Sequence, residues 1–266
     1  MASDAHAHPY DLARLYPPAE AERRRLGIAC AASAWNPEEF LFQEALAQKA
    51  REDGAPPLML CYAVHPQLPR ERASFDDCLD FLAALAAGKR ICAIGETGFD
   101  LFDRSFKDTE AAQDALFSAH LETALRYGLP LVLHIRKAMH KVFSHAASLR
   151  RLPAVVLHSY SGTAREAGDL LKRGVNAYFS FGNTIRLNHK EAMRSCALLP
   201  AGRLLFETDA PYQPFRGRAF SLWEDTAAIL ASAASLRGEA GSPVFRPGEL
   251  EAVSDASFFS VYGNGV

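Results

Sequence analysis

Apolar and polar positions follow two alternating rhythms along this chain. Short runs rich in Val, Ile, Leu, Ala and Phe recur at Ala2 to His8, Gly27 to Trp35, Pro57 to His65, Arg90 to Phe99, Pro130 to Arg136, Ala154 to Tyr160, Asn176 to Gly182 and Leu204 to Asp209. Runs of that length and composition predict strands. Between them lie Ala-, Leu-, Glu- and Arg-rich stretches at Pro37 to Arg51, Phe75 to Gly88, Thr109 to Tyr127, Ala138 to Leu149, Ala164 to Arg173 and Lys190 to Leu198. Their apolar spacing predicts amphipathic helices. Strand then helix, repeated along the chain, predicts an α/β fold, a closed parallel (β/α)8 barrel formed as a single domain over residues 1–266. An open doubly wound sheet uses the same alternation but gathers its functional side chains at one switch point. Here the chemically active residues run from the first strand to the last, which favours the barrel.

Several helix ends are legible. Asn36-Pro37-Glu38-Glu39 sets out an N-cap, a first-turn proline and acidic residues in order, and Ser221-Leu222-Trp223-Glu224 fits a capping box. Gly128 and Gly174, each preceded by a basic turn, read as helix stops. A last helix from Leu250 to Tyr262 is expected on the outside of the barrel.

The candidate chemistry sits at the downstream ends of the apolar runs. Asp4, His6 and His8 alternate, so they share a face. Glu96 lies between Gly95 and Gly98, His134 ends Leu131-Val132-Leu133, His158 ends Val155-Val156-Leu157, and Asp209 follows Leu204-Leu205-Phe206. Imidazoles and carboxylates converging on one barrel mouth can hold divalent metal ions, which make water a nucleophile at neutral pH. In this reading His6, His8, Glu96 and Asp209 hold one ion, Glu96 bridges to a second held by His134 and His158, and Asp209 also takes a proton from the attacking water. Glu207 shares the facing of Asp209 and is expected to hydrogen-bond a ligating histidine, and Asp4 invites the same reading. His65 contacts phosphate, shuttles a proton or packs its loop. No chemistry is assigned to His120, His140, His145 or His189.

Charge then narrows the substrate. A formal net charge of −2 on 266 residues argues against a protein that coats nucleic acid through general basicity. Yet Arg104, Lys107, Arg136, Lys137, Arg165, Arg186, Lys190, Arg216 and Arg218 fall just after strands, so the rim should be basic where the protein is not. Arg136, two residues beyond His134, is the expected phosphate clamp, and Ser161-Gly162-Thr163 offers backbone NH groups to an anion. Tyr10, Tyr160, Tyr212 and Phe215 lie near the rim, for stacking on an unpaired base or for packing. The five cysteines are scattered without a CxxC spacing, no basic-then-apolar leader opens the chain and no apolar stretch is long enough to span a bilayer. A cytoplasmic monomer without a membrane partner is expected.

As a set, Asp4-x-His6-x-His8, Ile94-Gly95-Glu96-Thr97-Gly98-Phe99-Asp100, Leu133-His134-Ile135-Arg136-Lys137-Ala138, Leu157-His158-Ser159-Tyr160-Ser161-Gly162 and Phe206-Glu207-Thr208-Asp209-Ala210-Pro211-Tyr212 resemble the motifs of the TatD family of metal-dependent deoxyribonucleases. The resemblance runs in order over almost the whole chain. It implies a TIM barrel of the amidohydrolase type, two divalent metal ions (Zn, Mn or Mg) and phosphodiester hydrolysis, as a 3′-5′ exonuclease on single-stranded DNA or DNA ends. It also implies the two ligand sets given above. The chain departs from the family pattern at Pro9-Tyr10 after the second histidine, at Gln67 in His65-Pro66-Gln67, and at Ala219 and Phe220 in Arg218-Ala219-Phe220-Ser221. These positions bear on the rim and leave the ligands in place. Two other readings use the same barrel: a small-molecule amidohydrolase, lactonase or phosphotriesterase, many of which carry a strand-four lysine where this chain has Glu96, and a non-catalytic metal-bound interaction protein.

Overall fold

The computed structural model describes residues 2–72 and 74–263; the outermost residues of the expected 1–266 domain, Met1 and 264–266, lie outside the described residues. Eight parallel strands follow one another in sequence order: β1 (Ala2–Ala7), β2 (Ile28–Ala34), β3 (Leu58–Tyr62), β4 (Ile94–Asp100), β5 (Leu131–Arg136), β6 (Val155–Leu157), β7 (Ala177–Phe181) and β8 (Leu204–Phe206). They pair as β1-β2-β3 and β4-β5-β6-β7-β8, consistent with a TIM barrel. At one seam between the two sheets Cys92 N donates to Leu60 O (2.8 Å) and Cys61 bridges Ala93. At the other, no strand pairing joins β8 to β1 among the described residues, but Asp209 N donates to His6 O (3.0 Å) and His8 N to Ala210 O (2.8 Å). That second seam brings the first and last chemical motifs of the chain side by side.

The helices are α1 (Pro9–Leu15), α2 (Ala19–Leu26), α3 (Pro37–Glu52), α4 (Asp76–Ala87), α5 (Arg104–Lys107), α6 (Glu110–Tyr127), α7 (Met139–Ser144), α8 (Ala146–Leu149), α9 (Ala164–Lys172), α10 (Lys190–Leu198), α11 (Asp225–Glu239) and α12 (Pro247–Tyr262). Among the described residues, no helix is long and apolar enough to cross a membrane. Asn36 caps α3 by accepting from Glu39 N, and Gly128, in the left-handed region, ends α6. The single helix expected from Ala138 to Leu149 is divided at His145, whose ring turns against Phe117 at 4.8 Å between centroids.

Two expectations need correcting. The capping box predicted at Ser221 is absent: Ser221 Oγ donates to Tyr212 O and its NH to Pro211 O, and α11 starts later, with Asp225 Oδ2 accepting from Leu222 N. A capping box forms instead at Thr163 and Glu166, opening α9. The closing helix also does more than cover the outside. Leu250 packs in the outer core, but Phe258, Val261 and Tyr262 join Ala5, Ala29, Met59, Val132, Val156 and Leu205 in a separate apolar cluster. The members of that cluster on β5, β6 and β8 are the inward-facing strand residues below the active groups. The helix end therefore plugs the mouth of the barrel opposite the site.

Two glycines set how closely β4 approaches β5. A Cβ on Gly95 would fall 2.4 Å from Val132 Cβ, and one on Gly98, where φ is +135°, would fall 2.3 Å from the carbonyl oxygen of His134. Only a residue without a side chain fits at either place, and Glu96 is carried between them toward β5.

Candidate active site

Alternation along the strands delivers the reactive groups. Val132 and Val156 belong to the inner apolar cluster, so His134 and His158, two residues on, stand above them on the same face; Leu205 likewise leads to Glu207 and Asp209. In β1 the register shifts between Asp4 and Ala7. His6 and His8 both reach the centre, but Asp4 does not face them as strict alternation suggested. Its buried carboxylate accepts from Thr208 N (3.0 Å), Thr208 Oγ1 (2.6 Å) and His6 N (3.2 Å). Burial pushes the Asp4 carboxyl up to about 7 against those bonds. Asp4 ties the main chain of the first motif to that of the last.

Around the centre, Glu96 divides its two oxygens. His6 Nε2 lies 3.2 Å from both His8 Nε2 and Glu96 Oε2 and 3.7 Å from Asp209 Oδ1, while His8 Nε2 lies 3.7 Å from Glu96 Oε2 and 3.4 Å from Asp209 Oδ1. Four nitrogen and oxygen donors bonded to one tetrahedral divalent ion stand about 3.3–3.6 Å apart, so His6, His8 and Asp209 have the spacing of an ion site, with Glu96 Oε2 beside both imidazoles. The other oxygen, Glu96 Oε1, lies 2.7 Å from His134 Nδ1, 2.7 Å from His158 Nε2 and 3.1 Å from His65 Nε2. These are hydrogen-bond lengths. The donors of both groups are nitrogens and carboxylate oxygens without thiolate, a set that fits divalent ions from magnesium to zinc.

Partners on the outer ring nitrogens sort the histidines by role. His134 Nε2 faces Asp100 Oδ2 at 3.1 Å and His158 Nδ1 faces Glu207 Oε1 at 3.2 Å. A carboxylate there keeps the proton on the outer nitrogen and turns a lone pair inward, as a metal ligand needs. His6 Nδ1 lies 3.3 Å from Ser33 Oγ, which can accept in the same way. His65 is the reverse case. Its Nδ1 accepts from Gln67 N at 3.2 Å, so the neutral ring carries its proton on Nε2 and points a donor into the centre. His65 thus lies among the ligand-type groups with the tautomer of a hydrogen-bond donor.

Charge follows the same division. Burial opposes ionisation of Glu96, but the imidazoles of His158, His65 and His6 together with the His134 bond hold its carboxyl well below the usual range. Burial likewise opposes charge on His158, yet Glu96 and Glu207 raise it well above an ordinary histidine. Asp209 is lowered despite burial, by the His8 bond and by nearby imidazoles. Burial lowers His6 and His65, but carboxylates raise His8, His134 and His158 despite it, so protons and cations compete for the site.

Several residues that hold this arrangement escaped the sequence reading. Asp100 orients His134 and is itself held by Gln67 Nε2 at 2.7 Å, so one of the departures from the family pattern serves the centre. Asp100 shares its strand parity with Glu96, which was the available signal. Gln213 Nε2 donates to Asp209 Oδ2 at 2.6 Å, leaving Oδ1 for the centre. His120, to which no chemistry was assigned, is fully buried on α6. Its Nε2 accepts from Val64 N at 3.2 Å and its Nδ1 meets Thr97 Oγ1 at 2.7 Å, so it clamps the neighbours of His65 and Glu96. Ser161 and Arg136 line a common cavity, and Arg136 is exposed, its guanidinium 4.5 Å from the Phe102 ring centroid. The Thr163 NH is occupied by Glu166 Oε2 at 2.8 Å, which withdraws one of the backbone donors expected to meet an anion.

Burial lowers His120 to about 3. Between that value and about 6.5 the unfolded chain binds a proton that the folded chain refuses, so stability falls as pH falls through this window, by up to ~1.4 kcal/mol per pH unit from this group. Urea unfolding in EDTA at pH 7, 6, 5 and 4 should show a shallower acid loss for His120→Gln than for wild type; equal slopes would rule out a buried neutral His120.

Comparison with known proteins adds a family to this geometry. The family description "TatD related DNase" matches residues 3–262. The "3'-5' ssDNA/RNA exonuclease TatD" of Cronobacter sakazakii is 33% identical over 210 residues, covering 74% of this chain and 75% of that protein. The protein of the same description from Klebsiella pneumoniae is 32% identical over 217 residues, covering 77% and 80%. Among solved structures, "YJJV, TATD Homolog from Escherichia coli k12" superposes with a TM-score of 0.81 at 26% identity, covering 98% of this chain and 97% of that one.

Proposed function

The chain belongs to the TatD-related DNase family, and from that premise we propose that it is a 3′-5′ exonuclease hydrolysing phosphodiester bonds of single-stranded DNA or DNA ends, with two divalent metal ions, in one barrel domain over residues 1–266. The observation that carries the reading is the divided Glu96 carboxylate, with one oxygen in the His6, His8 and Asp209 quartet and the other among His134, His158 and His65. His6, His8, Glu96 and Asp209 would hold one ion, and Glu96, His134 and His158 the other. Such ions supply Lewis-acid charge for the phosphoryl oxygens and lower the pKa of water.

The protein's own groups do the rest. Asp209 accepts the proton of the attacking water, with Gln213 fixing its carboxylate plane. His65 Nε2–H donates to a phosphoryl oxygen, a role favoured by the Gln67 NH on its other nitrogen. Arg136 grips the phosphate at the mouth of the cavity, with Ser161 beside it. Asp100, Glu207 and Ser33 hold the ligating imidazoles in orientation, and Asp4 holds the strand that presents two of them.

The test is hydrolysis of 3′-labelled single-stranded DNA by metal-stripped protein with Mg, Mn or Zn restored and Asp209→Asn as control. Metal-dependent release of labelled mononucleotide by wild type alone is expected; no cleavage with both ions bound would sink the reading in favour of a small-molecule hydrolase. Arg136→Ala should raise KM for the oligonucleotide by about tenfold, the scale of one lost charge-assisted contact, with metal content unchanged by elemental analysis.

A further inference from the structure

Two cavities open on the centre, one on each side, and they differ in charge. Both are lined by His134, Arg136, His158 and Gln213. The first, about 420 Å³, extends past Trp35, Leu68 and Tyr212 and carries the carboxylates of Asp11 and Glu71. The second, about 470 Å³, extends past Phe102, Lys137 and His189 and has no acidic residue in its lining. Phe102, 43% exposed, keeps two cations at that mouth: Arg136 lies 4.5 Å and Lys137 4.4 Å from its ring centroid.

Asp11 stands close to the reacting position. It accepts from Tyr212 Oη at 2.9 Å through Oδ2, and the Tyr212 ring lies edge-on to His8 at 5.0 Å. Among the described residues Asp11 has no ion-pair partner and its Oδ1 no hydrogen-bond partner, whereas Glu71 is paired with Arg70 at 3.1 Å. A polyanion passing beyond Arg136 into the first cavity would meet the unpaired charge of Asp11, which costs affinity steeply where water is thinned out. A neutral hydroxyl would find a free carboxylate oxygen.

We propose that the centre divides the strand: the first cavity receives the 3′-terminal nucleoside, with Asp11 accepting a hydrogen bond from its free 3′-hydroxyl, and the second takes the upstream phosphates on Arg136 and Lys137. This rests on the 3′-5′ exonuclease reading and adds to it a rule about chain ends. An end bearing a 3′-phosphate places two further negative charges beside Asp11 and is excluded by repulsion. Trp35 and Tyr212 give the terminal base apolar walls without a base-specific pattern of donors, so the selection falls on the sugar end rather than on the sequence.

The experiment compares matched single-stranded oligonucleotides, 5′-labelled and ending in 3′-hydroxyl or 3′-phosphate, with the metal-loaded enzyme. Wild type should degrade the hydroxyl end faster by at least about tenfold in kcat/KM. Asp11→Asn should narrow that ratio by raising the rate on the phosphate end, a gain that misfolding cannot produce. Lys137→Gln should raise KM for both ends alike and leave the ratio standing. Equal rates on the two ends in wild type, or a ratio unmoved by Asp11→Asn, would overturn the division while leaving the exonuclease reading in place. Failure to degrade either oligonucleotide with any metal would remove both.

Discussion

Glu96→Gln is expected to leave the barrel folded and the hydrolysis lost. Glutamine matches the shape of glutamate, but an amide cannot present two anionic oxygens, and in this structure that carboxylate places one oxygen in each group of imidazoles. Without it each prospective ion loses a charged ligand, and the imidazoles keep less reason to gather. The rate should fall by at least about 10³-fold, the upper end of what a single preorganised electrostatic group contributes, and the bound metal should fall with it. Elemental analysis beside turnover checks both parts. Full activity with two ions retained would show that the bridging role is wrong.

Asp209→Asn is expected to separate chemistry from metal binding. Its Oδ1 sits in the quartet with His6 and His8, but those two imidazoles and Glu96 Oε2 remain as ligands after the change. An asparagine oxygen can still ligate, though it takes up no proton. Turnover should therefore drop by roughly 10²–10⁴-fold, the contribution of a positioned general base, while most of the metal stays bound. A variant that loses metal and activity in the same proportion would make Asp209 a ligand only, and the proton acceptor would have to be sought elsewhere.

What could be read in the sequence is what depends on neighbours along the chain. Strand parity, the ends of apolar runs and the ligand types at those ends are local, and the structure brings His6, His8, Glu96, His134, His158 and Asp209 to one centre. The helices α1 and α2 were missed because a proline-led turn and a run as charged as Ala19–Leu26 give no apolar stripe. Long-range partners were less legible. That Gln67 holds Asp100, that Gln213 holds Asp209 and that His120 clamps Val64 and Thr97 depends on loops and helices meeting in space. The capping boxes show the limit well. Ser221 and Thr163 both have Glu three residues on, and the difference is made by Tyr212, whose carbonyl takes the Ser221 hydroxyl. His65 shows the reverse: its type and place suggested several roles, and one backbone NH on the far side of the ring separates donor from ligand.

The end of α12 gives the barrel a floor. Phe258, Val261 and Tyr262 fill the bottom, and the Tyr262 hydroxyl donates to Ala5 O, so among the described residues that end of the axis is closed. The centre is therefore reached from the other mouth, on which the two cavities open. Metal ions, water and substrate thus come and go at the same end of the barrel, with two cavities there to divide the traffic.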